Sequence, residues 1–339
     1  MSINNLGSAF ISKTLTLLVV ASLLGACQTS GITPLSLDEA KRVTASFKGG
    51  FVPPPRTITD ITGILEQQKP KDLETLRQMR VVADEKPPVA SNDAELAMFY
   101  YKRGEKADHL GRQNQALADY QKAAELFELS NNDEFAAYAL EAAAYLTSYL
   151  GNYSDAIKGI RKAIKLTRTD WQDDIVSLRY VLAGMAAEAG DFALAEQELK
   201  RARPLLNEVR SWDDMTRRGL TIIETLHSTA RAIVLAKRGK LDEAEALMRG
   251  AVKRWEPFKN TDSGWGDSKL AGQTYVWYLR HLALVLIAQE RYVEAEVIAR
   301  EGLLFMLSDY GRYSSYVASA LNLLTKTLLE QGRYEEAEQ

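Results

Sequence analysis

Residues 94–126 read AELAMFYYKRGEKADHLGRQNQALADYQKAAEL. Gly111 divides the stretch into two apolar-patterned halves, the pattern of two helices joined by a glycine-centred turn. The unit recurs when the chain is aligned on its turns. Gly151 is followed by Tyr153, Ala156, Ile160 and Ala163, and Gly190 by Phe192, Ala195, Leu199 and Ala202. Gly239 is followed by Leu241, Ala244, Met248 and Ala251. Glu290 takes the glycine's place before Tyr292, Ala295, Ala299 and Gly302, and Gly332 precedes Tyr334 and Ala337. Counted from the turn residue, the offsets are constant: an apolar residue two on, Ala five on, a large apolar residue nine on, a small one twelve on. Gln113 and Ala299 are the exceptions. Each place has a physical cause. Glycine enters the left-handed region without a Cβ penalty, alanines let two helices approach closely, and the large residue fills the wedge between them.

The offsets resemble those of the tetratricopeptide repeat (TPR), over about residues 94–339. The resemblance implies an all-α superhelical solenoid of about six helix-turn-helix repeats, around turns at 111, 151, 190, 239, 290 and 332. The turn spacing of 39–51 residues exceeds the usual repeat of about 34, which implies longer helices or extended connections, most of all near 203–215 and 255–272. Repeat six stops at Gln339, partway into its second helix. A solenoid needs a polar end cap, so the chain is expected to be part of a longer protein.

Ahead of the array, residues 28–92 read as a polar tether that passes into two short helices, over 57–69 and 71–84. The 339 residues carry 42 Lys+Arg against 45 Asp+Glu, a formal charge of -3. Such a balance gives no reason to expect a nucleic-acid surface. A hydrophobic content of 46% excludes wholesale disorder. A single cysteine excludes an internal disulfide framework.

That cysteine ends the N-terminal segment MSINNLGSAFISKTLTLLVVASLLGAC. The apolar run from Leu15 to Ala26 is too short to span a bilayer and has the length of a secretory signal's apolar region. Leu24-Gly25-Ala26-Cys27 resembles the lipobox of bacterial lipoproteins. The resemblance implies that residues 1–26 are a signal peptide and that Cys27 is lipidated. It further implies a chain that begins at 27 and is held at the cell envelope facing the periplasm. Gln28, which is not Asp, implies sorting to the outer membrane.

No phosphate loop, zinc motif or nucleophile elbow is present. His109, His227 and His281 fall on three different repeats, and His281 reads as a packed or rim residue. The stretch 259–267, KNTDSGWGD, lacks the acidic twelfth residue of a calcium loop, Ala271 standing there. It reads as a polar turn carrying Trp265, and Lys41-Arg42 as solvated surface. No cofactor, metal or catalytic residue is assigned.

In the TPR family the first helix of each pair lines the inner face. By that analogy the groove positions lie 13, 10, 6 and 3 places before each turn residue. They include Tyr101, Tyr138, Glu141, Tyr145, Tyr180, Trp277, Arg280, Asn322 and Lys326, with Met98, Glu105, Asp108, Ser148 and Thr229. Aromatics mixed with a few charges suit a peptide or helix as partner, although each aromatic could equally pack between neighbouring helices. The function expected is a lipid-anchored TPR scaffold that binds a protein or peptide at the envelope and does no catalysis. Two alternatives stand beside it. The arrangement also resembles the N-terminal region of secreted TPR proteins that carry a caspase-like CHAT peptidase domain, whose His and Cys would lie beyond residue 339. Groove aromatics could also bind peptidoglycan or another glycan.

Overall fold

The computed structural model describes residues 53–55, 57–67, 69–89, 92–213, 215–259 and 270–339. The signal segment, Cys27, Lys41-Arg42 and the turn around Trp265 lie outside them.

The turns organise the chain. Gly111, Gly151, Gly190, Gly239 and Gly332 have φ between 71° and 84°, and Glu290 takes the same left-handed conformation at 61°. After each, the next residue donates its N–H to a carbonyl five residues back, as Asn152 does to Thr147 (3.0 Å) and Arg291 to Leu286 (2.9 Å). Such a bond closes the outgoing helix and starts the next. Asn152 and Asp191 then cap the new helix with their side chains, accepting from the N–H groups of Asp155 and Leu194.

The helices in chain order are α1 (Thr59–Gln67), α2 (Lys69–Ala83), α3 (Asp93–His109), α4 (Gln113–Leu129), α5 (Asp133–Tyr149), α6 (Tyr153–Leu166), α7 (Gln172–Glu188), α8 (Phe192–Val209), α9 (Arg217–Lys237), α10 (Leu241–Trp255), α11 (Leu270–Ala288), α12 (Tyr292–Tyr310), α13 (Ser315–Glu330) and α14 (Tyr334–Glu338). From α3 onward they form six antiparallel hairpins. The 40-residue spacing at the start of the array comes from helix length: α3, α4 and α5 have 17 residues each, joined by short turns. Later spacing grows because α8 runs through Pro204 to Val209 and α9 extends to 21 residues.

The alanines five after the turn, Ala116, Ala156, Ala195, Ala244 and Ala295, are all fully buried. The places nine and twelve on bury Tyr120, Ile160, Met248 and Ala299, and Ala123, Ala163, Ala202 and Ala251. At Gly302, in the small place, an added Cβ would meet Val276 Cγ1 at 3.3 Å. A single hairpin has too little interior to hide these faces, so successive hairpins bury them against one another in a series of apolar clusters along the array.

The lead-in helices pack on both ends of the stack. Below α2, Arg112 pairs with Asp84, Gln115 donates to the Ala83 carbonyl (2.6 Å), and Arg103 donates to the Glu85 carbonyl (3.0 Å). Ile58, just before α1, and Ile61 within it are buried in a core shared with α11–α13. Arg300 there reaches Asp60 and the Thr57 carbonyl, and Arg312 the Leu65 carbonyl. α3 meets α13 as well: the His109 ring lies 5.2 Å from that of Tyr316, edge on, and Asp108 shares a hydrogen bond with Tyr316. The stack therefore closes on itself.

Candidate functional site

Stacking the first helix of every hairpin side by side brings equivalent positions onto one inner wall. The place six before the turn is occupied by Tyr145, Gly184, Ile233, Leu284 and Lys326, and all five line one cavity of about 520 Å³. Tyr153 and Met248, from second helices, complete its edges. The volume falls within the roughly 300–1,000 Å³ of ligand sites.

Its walls are apolar and aromatic, with few charges. Trp277 packs edge-on against His281 at 4.5 Å. Burial, and then Arg280, push the His281 imidazole down to about 3, so it is neutral at physiological pH. Burial raises the Tyr145 hydroxyl well above the usual phenol range. Tyr149 is raised too, although Arg280 opposes the shift, which places the guanidinium near that ring. Lys237 is neutralised by Glu188 at 2.8 Å. Arg280 and Lys326 make no ion pair or hydrogen bond among the described residues. The cavity therefore keeps a positive charge.

A smaller cavity of about 40 Å³ lies between α5 and α7, lined by Glu134, Tyr138, Glu141, Trp171, Asp174 and Ser177 among others. Burial, and then repulsion from Asp174, push the Glu141 carboxyl up to about 7. Asp174 is raised to about 6 by burial and then by Asp173 and Glu134. Tyr138 and Glu141 at the smaller cavity and Tyr145 and Ser148 at the larger follow one another at helical spacing on one face of α5.

Of the residues the family offsets single out, Tyr145, Tyr180, Trp277, Arg280 and Lys326 meet at the larger cavity, with Ser148. Tyr138 and Glu141 lie in the smaller one. Tyr101 and Asn322 line neither: Tyr101 packs on Tyr120 at 5.5 Å between centroids, and Asn322 is exposed on α13. Tyr180 is 1% exposed and belongs to the core, its hydroxyl buried without a hydrogen-bond partner. Thr229 is buried and donates to the Thr225 carbonyl. The offsets missed the place two before the turn, where Tyr149, Glu188, Lys237 and Ala288 all line the cavity. The recurring turn residues carried that signal, since two residues before a left-handed turn is still the last turn of the wall helix. Among the described residues no cluster of three His, Cys, Asp or Glu side chains could hold a metal ion, and no helix is long and apolar enough to cross a membrane.

Residues 226–249, from mid-α9 to mid-α10, match the family model of the tetratricopeptide repeat. No curated protein matches the chain. Among solved structures it is similar to NprR in complex with its cognate peptide NprX. The TM-score is 0.52 at 15% identity, over 88% of this chain and 80% of that one. It is also similar to a Rap protein complexed with competence and sporulation factor (TM-score 0.45, 13% identity, 81% and 74% covered). A tetratricopeptide repeat protein from Parabacteroides merdae gives a TM-score of 0.40 at 12% identity, over 82% of this chain and 98% of that one. With the first of these and the repeat match, the described array is an all-α, TPR-like helical solenoid.

Proposed function

We propose that this chain is a binding scaffold without catalysis of its own, which holds a peptide or protein segment against its inner wall and is tethered to the bacterial envelope through lipid on Cys27. The observation that carries the first part is the cavity built from one repeat position in five successive hairpins, aromatic-walled and keeping two unpaired cations. The NprR structure, of the same fold, contains a peptide. The tether rests on Leu24-Gly25-Ala26-Cys27 and on the apolar run before it; multiple acyl chains anchor where one would bind only marginally.

The binding test is selection from a displayed library of 12-residue segments, each continued by chain at both ends. Ala288→Trp, which fills the cavity from an exposed position, serves as control. Binders retained by the natural chain and lost from Ala288→Trp support the reading, and retention indifferent to Ala288→Trp overturns it. For the tether, mass spectrometry of the mature N-terminus should find acylated Cys27; an unmodified thiol ends that part of the proposal.

A further inference from the structure

The two cavities carry opposite charge at the two ends of one helical stripe. On α5, Glu134, Tyr138 and Glu141 face the smaller cavity and Tyr145, Ser148 and Tyr149 the larger. Eight residues separate Glu141 from Tyr149, a rise of about 12 Å. At the first end stand Glu141 and Asp174, both half-buried, neither with an ion pair or hydrogen bond among the described residues. At the second end stand Arg280 and Lys326, equally unpaired, with Arg280 beside Tyr149. Other cations of the array are paired. Lys237, Arg249, Arg291, Arg300 and Arg333 all have carboxylate partners within 3 Å. Between the two ends the wall is apolar and aromatic.

We propose that the inner wall takes a short linear peptide with both termini free, its ammonium group held by Glu141 and Asp174 and its C-terminal carboxylate by Arg280 and Lys326. The assignment rests on the peptide-binding reading and gives it a ligand class and a direction. An extended chain advances about 3.3 Å per residue, so the stripe plus the reach of the end groups matches about four to six residues. The ammonium would lie against the rings of Tyr138 and Trp171, which attract a cation through their π faces. The carboxylate would meet a guanidinium, whose fork matches two oxygens. Apolar side chains of the peptide would fill the cavity around Trp277, Leu284 and Ile233. The Glu141 and Asp174 carboxyls repel each other in the empty protein, and a zwitterionic ligand would supply opposite charge at both ends at once.

The probe is a library of free hexapeptides, compared with the same library N-acetylated and the same library C-amidated, retained peptides being quantified by mass spectrometry. Each blocking should lower retention at least tenfold. Glu141→Gln should abolish the effect of acetylation and leave that of amidation, and Arg280→Gln the converse. Equal retention of blocked and free peptides, or blocking effects that survive both variants, overturns the assignment. If the displayed segments of the previous section are held in an Ala288→Trp-sensitive way while termini do not matter, the direction falls and the groove stands. If neither kind of peptide is held, both fall.

Discussion

Arg300 and Asp60 stand 240 residues apart in the chain, and their charged groups meet at 2.7 Å. Arg300 is almost fully buried and also holds Glu296, a carboxylate with no exposed surface, at 2.8 Å. Glu296 in turn accepts from Arg333 and Gln331 near the end of the array. One ionic network thus fastens α1, which precedes the array, to its last hairpins.

Removing Arg300 should strip a buried carboxylate of one of its cations. Arg300→Ala is expected to lower stability by about 3 kcal/mol in urea unfolding. Asp60→Asn, at the solvent-facing end of the network, should cost about 1 kcal/mol or less. Amide exchange should accelerate over residues 59–67 in both variants while α5–α8 stay protected. Unaltered exchange in α1 would show that Ile58 and Ile61 hold the helix without the ion pair.

Glu290 alone among the six array turns adopts the left-handed conformation without being glycine. A side chain there costs roughly 1 kcal/mol. Glu290→Gly should therefore raise stability by about that amount, and Gly190→Ala, at φ 82°, should lower it similarly. Thermal unfolding of both variants checks the pair; a loss in Glu290→Gly is the contrary result.

Folded-state acidity makes the empty site a liability at neutral pH. Glu141 titrates near 7 instead of 4.5, and Asp174 near 6 instead of 3.8, chiefly because burial disfavours their charged forms. Between those values the folded state binds more protons than the unfolded, so stability falls as pH rises from about 4 to 7. Glu141→Gln should leave stability unchanged at pH 4 and raise it at pH 8 by an amount of order 2 kcal/mol. A variant that is no more stable than the natural chain at pH 8 contradicts the assignment of cause.

Tyr180 offers the converse case of a buried group without a partner. Its hydroxyl forms no hydrogen bond although the ring lies in the core, 5.1 Å from the His227 ring. Tyr180→Phe removes an unsatisfied polar atom and breaks nothing, so it should be neutral or stabilising by up to about 1 kcal/mol. A clear destabilisation in chemical denaturation would reveal a bond that the geometry does not contain.

The repeat architecture was legible because each of its requirements is local. A left-handed residue, an alanine five places on and a small residue twelve on serve one hairpin and its neighbour, so the copies betray themselves by spacing alone. The inner-wall position six before each turn followed from the same count, as Tyr145 and Lys326 illustrate. Counting could not tell which wall residues are presented and which are packed: Tyr180 and Tyr145 both line the cavity, yet Tyr180 is almost fully buried and Tyr145 is partly exposed. Nor could it find Asp60 beside Arg300, or the separation of Glu141 and Asp174 from Arg280 and Lys326. Those depend on how tightly the stack curves, and curvature sums small rotations contributed by every hairpin. No short stretch of sequence encodes such a sum, so closure of the array and the charge at each end of its groove emerge from tertiary packing.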